Sequence, residues 1–434
     1  MNWNLVVRAL RHRNYRLFFS GQGVSLIGTW MTRVATGWLV YRLTGSAFLL
    51  GLVSFAGQIP ILVLGPFAGV WVDRWNRHRV LVVTQALSML ESFGLAALAL
   101  THIITVHEVI LLNLFQGAVN SFDMPARQAF VIEMVEEPDD LGNAIALNSS
   151  LVNAARLIGP SVAGLIIAGV GEGYCFLIDG VSYLAVIASL LLMIVIPRPT
   201  ERAHPSVISE LRDGWNYVVG FRPIWSILLL LVCISLVGMP YTTLMPIFAG
   251  TVLHGGAHTL GFLMGAVGVG ALAGAVTLAA RPSVLGLGRV VPMTAAGFGA
   301  SLIAFAGSRV LGLSLFLLVI TGFCFMQNLA SCNTILQTIV EDKMRGRVMS
   351  FYSMAFQGIA PFGSLIAGVI ASRIGAPYTL MIGGAICICG ASLFAMQLPT
   401  LRRLIRPIYV QIGIIPELAK GVHAASILQD PPES

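Results

Sequence analysis

Five ionisable side chains interrupt otherwise apolar runs: Arg33, Glu91, Asp123, Arg156 and Asp179. The window VTQALSMLESFGLAAL around Glu91 is typical. A charge taken out of water must find a partner or change its protonation, so such residues are functional candidates by default. All five are candidates for coupling to protons. Counted at about 1.5 Å per residue, Arg33 lies roughly 15 Å and Asp179 roughly 8 Å below the outer surface; the length of arginine closes much of that difference, and the two are expected to pair. Glu91 has no Lys or Arg within helical reach on its own run. Its expected neighbours are the amides Asn113, Gln116 and Asn120, which suit a neutral carboxyl that donates one hydrogen bond and accepts another.

A second cluster raises a different question. Residues 69–79 read GVWVDRWNRHR, an apolar run ending in an aspartate and several basic side chains. Only 10% of the chain is charged, against about 25% in a soluble protein, so this crowding needs a reason. No nucleotide-binding G-x-x-x-x-G-K-[ST] loop occurs, and no catalytic constellation suggests an enzyme. The six cysteines lie in or beside apolar runs. Cys387 and Cys389, two apart on a helix, do not face the same way, so no metal site and no cofactor is expected.

The elements that hold these residues follow from the length of the apolar runs. Twelve spans fit, at 17–43, 47–72, 80–101, 106–126, 142–169, 174–196, 224–249, 258–280, 290–308, 311–336, 350–372 and 376–398. Each can cross a hydrocarbon core about 30 Å thick. Only helices or closed barrels satisfy the backbone in lipid, so the fold class is an all-α multi-pass membrane protein. With the N-terminus in the cytoplasm, all but five of the 26 Lys and Arg fall on the cytoplasmic side. The exceptions are Arg42, Arg309 and Arg373 outside, with Arg33 and Arg156 inside spans. That bias places both termini in the cytoplasm. The net charge of +7 therefore reads as topology and contact with membrane lipids, not nucleic acid. No cleavable leader is expected before the first span. Residues 3–13 read either as a short amphipathic helix on the inner surface or as a solvated start.

The longest polar connection, 197–223, divides the spans six and six. It suggests a first bundle at 1–196, a linker at 197–223, a second bundle at 224–398 and a cytoplasmic tail at 399–434. An internal repeat agrees with that division. Gly65 and Gly69 of the second span match Gly270 and Gly274 of the eighth, a shared G-x-x-x-G packing face. Pro160 of the fifth span stands opposite Pro361 of the eleventh.

Residues 10 to 398 resemble the major facilitator superfamily. Gly69, Asp73, Arg74 and Arg77 match its loop signature G-x-x-x-D-R-x-x-R-R, with His78 departing from it. SLIGTWMTRVATGWLVYRLTGS and DMPARQAF look like the branch that includes the enterobactin exporter and macrolide efflux proteins. The resemblance implies two pseudo-symmetric six-helix bundles that rock about a central cavity. It also implies a latch in which Asp73, aided by Arg127, meets the start of the eleventh helix when the cytoplasmic side closes. In the fifth span Gly159, Pro160 and Gly164 resemble a degenerate antiporter signature, which favours export. Aromatic, thioether and amide side chains in the second half (Tyr241, Phe325, Met326, Gln327, Asn328 and Asn333) are candidates to line a cavity for a bulky amphipathic solute. The leading expectation is a monomeric, proton-coupled exporter of siderophore- or drug-like molecules in the cytoplasmic (inner) membrane. The alternatives are a facilitator or symporter importing a nutrient or moving a lipid, and a transport-inactive receptor or scaffold.

Overall fold

A computed structural model describes residues 7–135, 137–194, 207–281, 283–412 and 414, with the side chains of residues 66, 70, 73, 138 and 207–211 also outside the description. Among the described residues the regular structure is all helical. The first half contains α1 (Arg13–Thr44), α2 (Ala47–Arg74), α3 (Arg77–Leu100), α4 (Val106–Met134), α5 (Pro138–Val170) and α6 (Glu172–Leu191). The second contains α7 (Arg222–Val252), α8 (Ala257–Ala279), α9 (Leu287–Gly307), α10 (Leu311–Ile339), α11 (Asp342–Ile374) and α12 (Ala376–Gln411). Ten of these rods are long and apolar enough to cross a membrane. The other two, α1 and α4, have 32 and 29 residues and are equally long, but carry more polar side chains.

Local signals set the ends. Ser46 Oγ accepts the amide of Leu49 at the start of α2, and Asn76 Oδ1 accepts that of Arg79 at the start of α3. Gly45, at φ +62°, closes α1 in the left-handed conformation that favours glycine. Three π-turns interrupt the second half: Ile234–Gly238, Phe248–Val252 and Met354–Gly358. Each lies close to a proline (Pro240, Pro246 or Pro361), whose missing N–H removes a rung from the helical ladder.

Three segments differ from the sequence reading. α12 runs on to Gln411 rather than stopping at 398, passing through Pro399 and Pro407 with Arg402, Arg403 and Arg406 on it. Within the linker, Val207–Gly220 is a helix, and Trp215 rests against Trp225 and Phe351 while Asp213 meets Arg347 at 3.4 Å. The start of the chain, over its described part, is one turn of 3-10 helix, Arg8–Arg11, fastened to α5 rather than free in solvent. Arg8, Arg11 and His12 converge on buried Asp140 at the head of α5, at 3.0, 2.8 and 2.9 Å. Tyr15 Oη donates to the carbonyl of Ala144 at 2.7 Å, fastening α1 to the same turn.

The halves meet mainly through α5 against α8 and α2 against α11. At the end of the bundle remote from the termini these helices nearly touch. A Cβ on Gly164 would stand 2.8 Å from the Ala257 carbonyl, and one on Gly51 2.5 Å from that of Ser364. Tyr41 and Thr251 share a hydrogen bond of 2.8 Å across the same end. Toward the termini three of the four helices part. A Cβ on Gly65 or Gly69 of α2, Gly142 of α5 or Gly346 of α11 would meet nothing within 4 Å. The space between the halves therefore opens toward the termini.

Candidate functional site

Three groups of ionisable residues lie in the first half, and helix periodicity decides what each can reach. Residues one apart on a helix point about 100° apart, and this separates Thr32 from Arg33. Thr32 faces α6 and donates to Asp179 Oδ2 at 2.8 Å; Ser92 of α3 donates to the same oxygen at 3.0 Å. Arg33 faces elsewhere, so the expected Arg33–Asp179 ion pair does not form. Glu91 is buried and does not hydrogen-bond Asn113, Gln116 or Asn120. Gln116 instead donates to Ser88 Oγ and Asn113 to the carbonyl of Val109. The carboxyl of Glu91 turns toward Ser92, whose Oγ is 3.4 Å from Oε2. One hydroxyl thus stands between two buried carboxyls, and Asp179 Oδ1 has no partner.

Asp123 anchors the second group. Its Oδ1 accepts from Thr84 at 2.9 Å and Gln85 at 2.7 Å on α3, and its Oδ2 pairs with Arg127 one turn along α4. Arg127 is engaged by Asp123, and its expected contact with Asp73 falls outside the described residues. Arg77 pairs with Glu133 at 2.7 Å, tying the head of α3 to the end of α4. Sequence reasoning missed Glu133; the basic loop facing an acidic helix end was the available clue. Arg74 is exposed, and the side chain of Asp73 lies outside the described residues.

The third group is the pair Arg33 and Arg156. Their guanidinium carbons lie 4.9 and 5.0 Å from the centroid of one indole, Trp30 of α1. The rest of the signature on α5 positions this ring. A Cβ on Gly159 would sit 2.5 Å from that of Trp30, so glycine lets α5 cross α1 there. Gly164, a turn beyond buried Pro160, does the same against Gly261 of α8. All three signature positions lie along helices that form or adjoin the boundary between halves.

The second-half candidates divide. Tyr241 is buried against Phe298, whose ring is tilted against that of Phe325, and Tyr241 stands close enough to Arg156 to interact electrostatically. Met326 packs at Gly274. Gln327 donates to Thr277 at 2.6 Å and Asn328 to the carbonyl of Val291 at 2.8 Å, both within their own half. Asn333 accepts from Gln337. A hollow of about 420 Å³ lies apart from all of these, among Ile227, Val284, Phe394 and Leu398 near the terminal end of the second half. The ionisable groups described above lie in the first half, so that hollow is not the candidate site. All six cysteines are free.

Two six-helix bundles, closed on each other at one end, parted at the other and carrying charge at mid-depth, define a membrane transporter of the major facilitator fold. The family model described as "Transmembrane secretion effector" matches residues 6–405, and the chain belongs to that family. It is 26% identical over 383 residues to the staphyloferrin A transporter of Staphylococcus aureus (strain NCTC 8325 / PS 47), covering 87% of this chain and 95% of that one. It is also 26% identical over 396 residues to macrolide efflux protein A of Streptococcus pyogenes, with the same coverage. A bacterial homologue of the human lysosomal transporter Spinster, solved inward-facing and unoccupied, shares the fold at a TM-score of 0.68 and 14% identity, over 91% of this chain and 98% of that one. The protein is a transporter, not an enzyme.

Proposed function

We propose that this transporter is a proton-coupled exporter of amphipathic small molecules, siderophore- or drug-like, working by alternating access. It acts as a monomer in the cytoplasmic membrane with both termini in the cytoplasm. Residues 1–196 and 224–398 are the rocking bundles, joined by 197–223 and followed by the tail 399–434. The carrying observation is the wedge between the halves, packed at Gly51 and Gly164 and free at Gly65, Gly69, Gly142 and Gly346. The inside-positive charge bias supports a reading in which the open end faces the cytoplasm, where an exporter loads. Closing that end brings the Gly69–Arg77 segment toward the head of α11, whose unpaired amides suit Asp73. The reverse rock releases the solute outside.

Proton coupling draws on the two carboxyls bridged by Ser92. Glu91 and Asp179 can pass a proton between solute-bound and empty states, with Asp123 as a third candidate. The test is uptake and efflux in proteoliposomes under an imposed pH gradient, across chemically diverse solutes. Glu91→Gln should fold, bind solute and lose gradient-driven efflux. Full efflux in that variant would remove Glu91 from the coupling and leave Asp179 and Asp123 as carriers.

A further inference from the structure

Arg33 and Arg156 are two positive charges at mid-depth with no counter-ion. Among the described residues neither makes an ion pair, and both share Trp30 as their cation–π partner. The carboxyls of the same half face other groups: Asp179 Oδ2 accepts from Thr32 and Ser92, Glu91 turns to Ser92, and Asp123 is held by Thr84, Gln85 and Arg127. Arg156 Nε is buried and lacks any hydrogen-bond partner. An uncompensated cation in a low-dielectric bundle is costly, and two repel each other. The ring face of Trp30 offsets part of that cost and leaves the N–H groups at the guanidinium edges free.

Both arginines face the space between the halves. On α5, Arg156 follows Ser149 and Asn153 at helical spacing, while the opposite face carries exposed Ile158 and Leu165. On α1, Arg33 shares a face with Gly37, which lies against Pro246 of α7, and exposed Val24 points the other way. Arg33 is exposed despite lying deep among helices, as a cavity-wall residue is. Tyr241 of the second half is near enough to Arg156 for their charges to interact.

We propose that Arg33 and Arg156 form an oxyanion site, and that the transported solute is an amphipathic organic anion carrying a carboxylate or phosphate-type group. The forked guanidinium edges take the oxyanion oxygens bidentately. Trp30 positions both forks and offers its remaining ring surface to the apolar body of the solute. The inference rests on the transport reading above and adds the sign of the substrate's charge.

The test uses the full chain in phosphatidylcholine nanodiscs and four probes of one size: 1-naphthoate, 1-naphthyl phosphate, methyl 1-naphthoate and 1-naphthylmethylamine. The two anions should raise the thermal unfolding midpoint of the wild type, and the ester and amine should not. In Arg33→Gln and Arg156→Gln, checked for native elution and helicity, apparent affinity for the anions should fall about tenfold to a hundredfold. Arg156→Lys, which keeps the charge without the fork and covers the case where the glutamine variants misfold, should lose less. Equal stabilisation by ester or amine, no stabilisation by either anion, or unchanged anion affinity in the folded variants would each overturn the proposal. The exporter reading fails separately. Anion binding without any vesicle transport removes that reading and keeps this site, whereas efflux of the amine, undiminished in Arg156→Gln, does the reverse.

Discussion

In the first bundle α3, α4 and α6 are tied by ionisable groups: Asp123 with Gln85 and Arg127, Arg77 with Glu133, Glu91 and Asp179 across Ser92. In the second bundle α8 crosses α10, and α9 crosses α12, on bare backbone. A Cβ on Gly270 would fall 1.9 Å from the Val319 carbonyl, and one on Gly322 2.0 Å from that of Val267. Gly299 and Gly384 abut in the same way. Charged side chains of α7–α12 stand near helix ends or on the extension of α12, leaving hydroxyl pairs such as Thr321–Ser301 at 2.9 Å inside. Close glycine crossings occur in the first bundle too, as at Gly117 on Gly57, so packing alone does not separate the halves. Buried charge does. A buried charge must be satisfied wherever it sits, so the first bundle carries the polar ties between its helices, while the second is joined by close backbone crossings.

The sharpest challenge to that contrast uses Gly69 of α2 and Gly270 of α8, which belong to the two G-x-x-x-G runs that the sequence aligns by repeat. At Gly270 a methyl group would push directly on a carbonyl that belongs to a facing helix and cannot swing aside. Gly270→Ala should therefore cost roughly 3 kcal/mol or more, read as a fall in the thermal midpoint or as aggregation on purification. At Gly69 the same methyl meets open space, so Gly69→Ala should stay within about 0.5 kcal/mol of the parent. Equal destabilisation at both positions would erase the asymmetry. With the fold unharmed, a transport defect in Gly69→Ala is the result expected if the α2 face meets α11 when the terminal end closes, as proposed above.

A smaller effect is expected from the polar side of the comparison. Arg127→Ala strips Asp123 of its cation but leaves the donors Thr84 and Gln85, so the loss should be about 1–3 kcal/mol rather than that of a wholly stranded charge. Adding Asp123→Asn should restore part of it, because a neutral amide no longer needs the guanidinium. Chemical or thermal unfolding of the two variants decides the point. If the double variant is as unstable as the two single losses added, Asp123 and Arg127 act independently and the first bundle is not held by this pair.

Much of this architecture is legible in residue order because apolar run length determines a membrane helix. The close approaches at Gly159 and Gly164 are legible in another way, as small residues beside Pro160 on one helix. Contacts that depend on rotation about a helix axis are less legible. Arg33 and Thr32 differ by one position, and that single step sends Thr32 to Asp179 and Arg33 to Trp30. Glu91 similarly turned from the α4 amides to Ser92. Range hid others: nothing near Arg8, Arg11 or His12 in the chain announces Asp140, about 130 residues away. The extension of α12 escaped for a different reason, since Pro399 and three arginines end an apolar run without ending a helix.

The smallest predicted effect lies where the two bundles touch. Tyr41 of α1 and Thr251 of α7 share one hydrogen bond across the end that is closed here, and a Cβ on Gly250 would collide with the Tyr41 ring. The bond joins the halves only while that end stays shut, so its loss should alter the balance between conformations more than the fold. Tyr41→Phe keeps the ring packed on Gly250 and removes only the hydroxyl. A net intramolecular hydrogen bond contributes about 0.5–1.5 kcal/mol, which corresponds to roughly a twofold to tenfold change in population. Single-cysteine reporters at the remote ends of α5 and α8 should accordingly react faster with a membrane-impermeant thiol reagent in Tyr41→Phe, with an unchanged thermal midpoint. Thr251→Val should do the same, and the two together no more than either alone, since both remove one bond. An additive double variant would mean that each hydroxyl has a separate partner when the end opens, and that the seam is held by the glycine crossings at Gly51 and Gly164 without this bond.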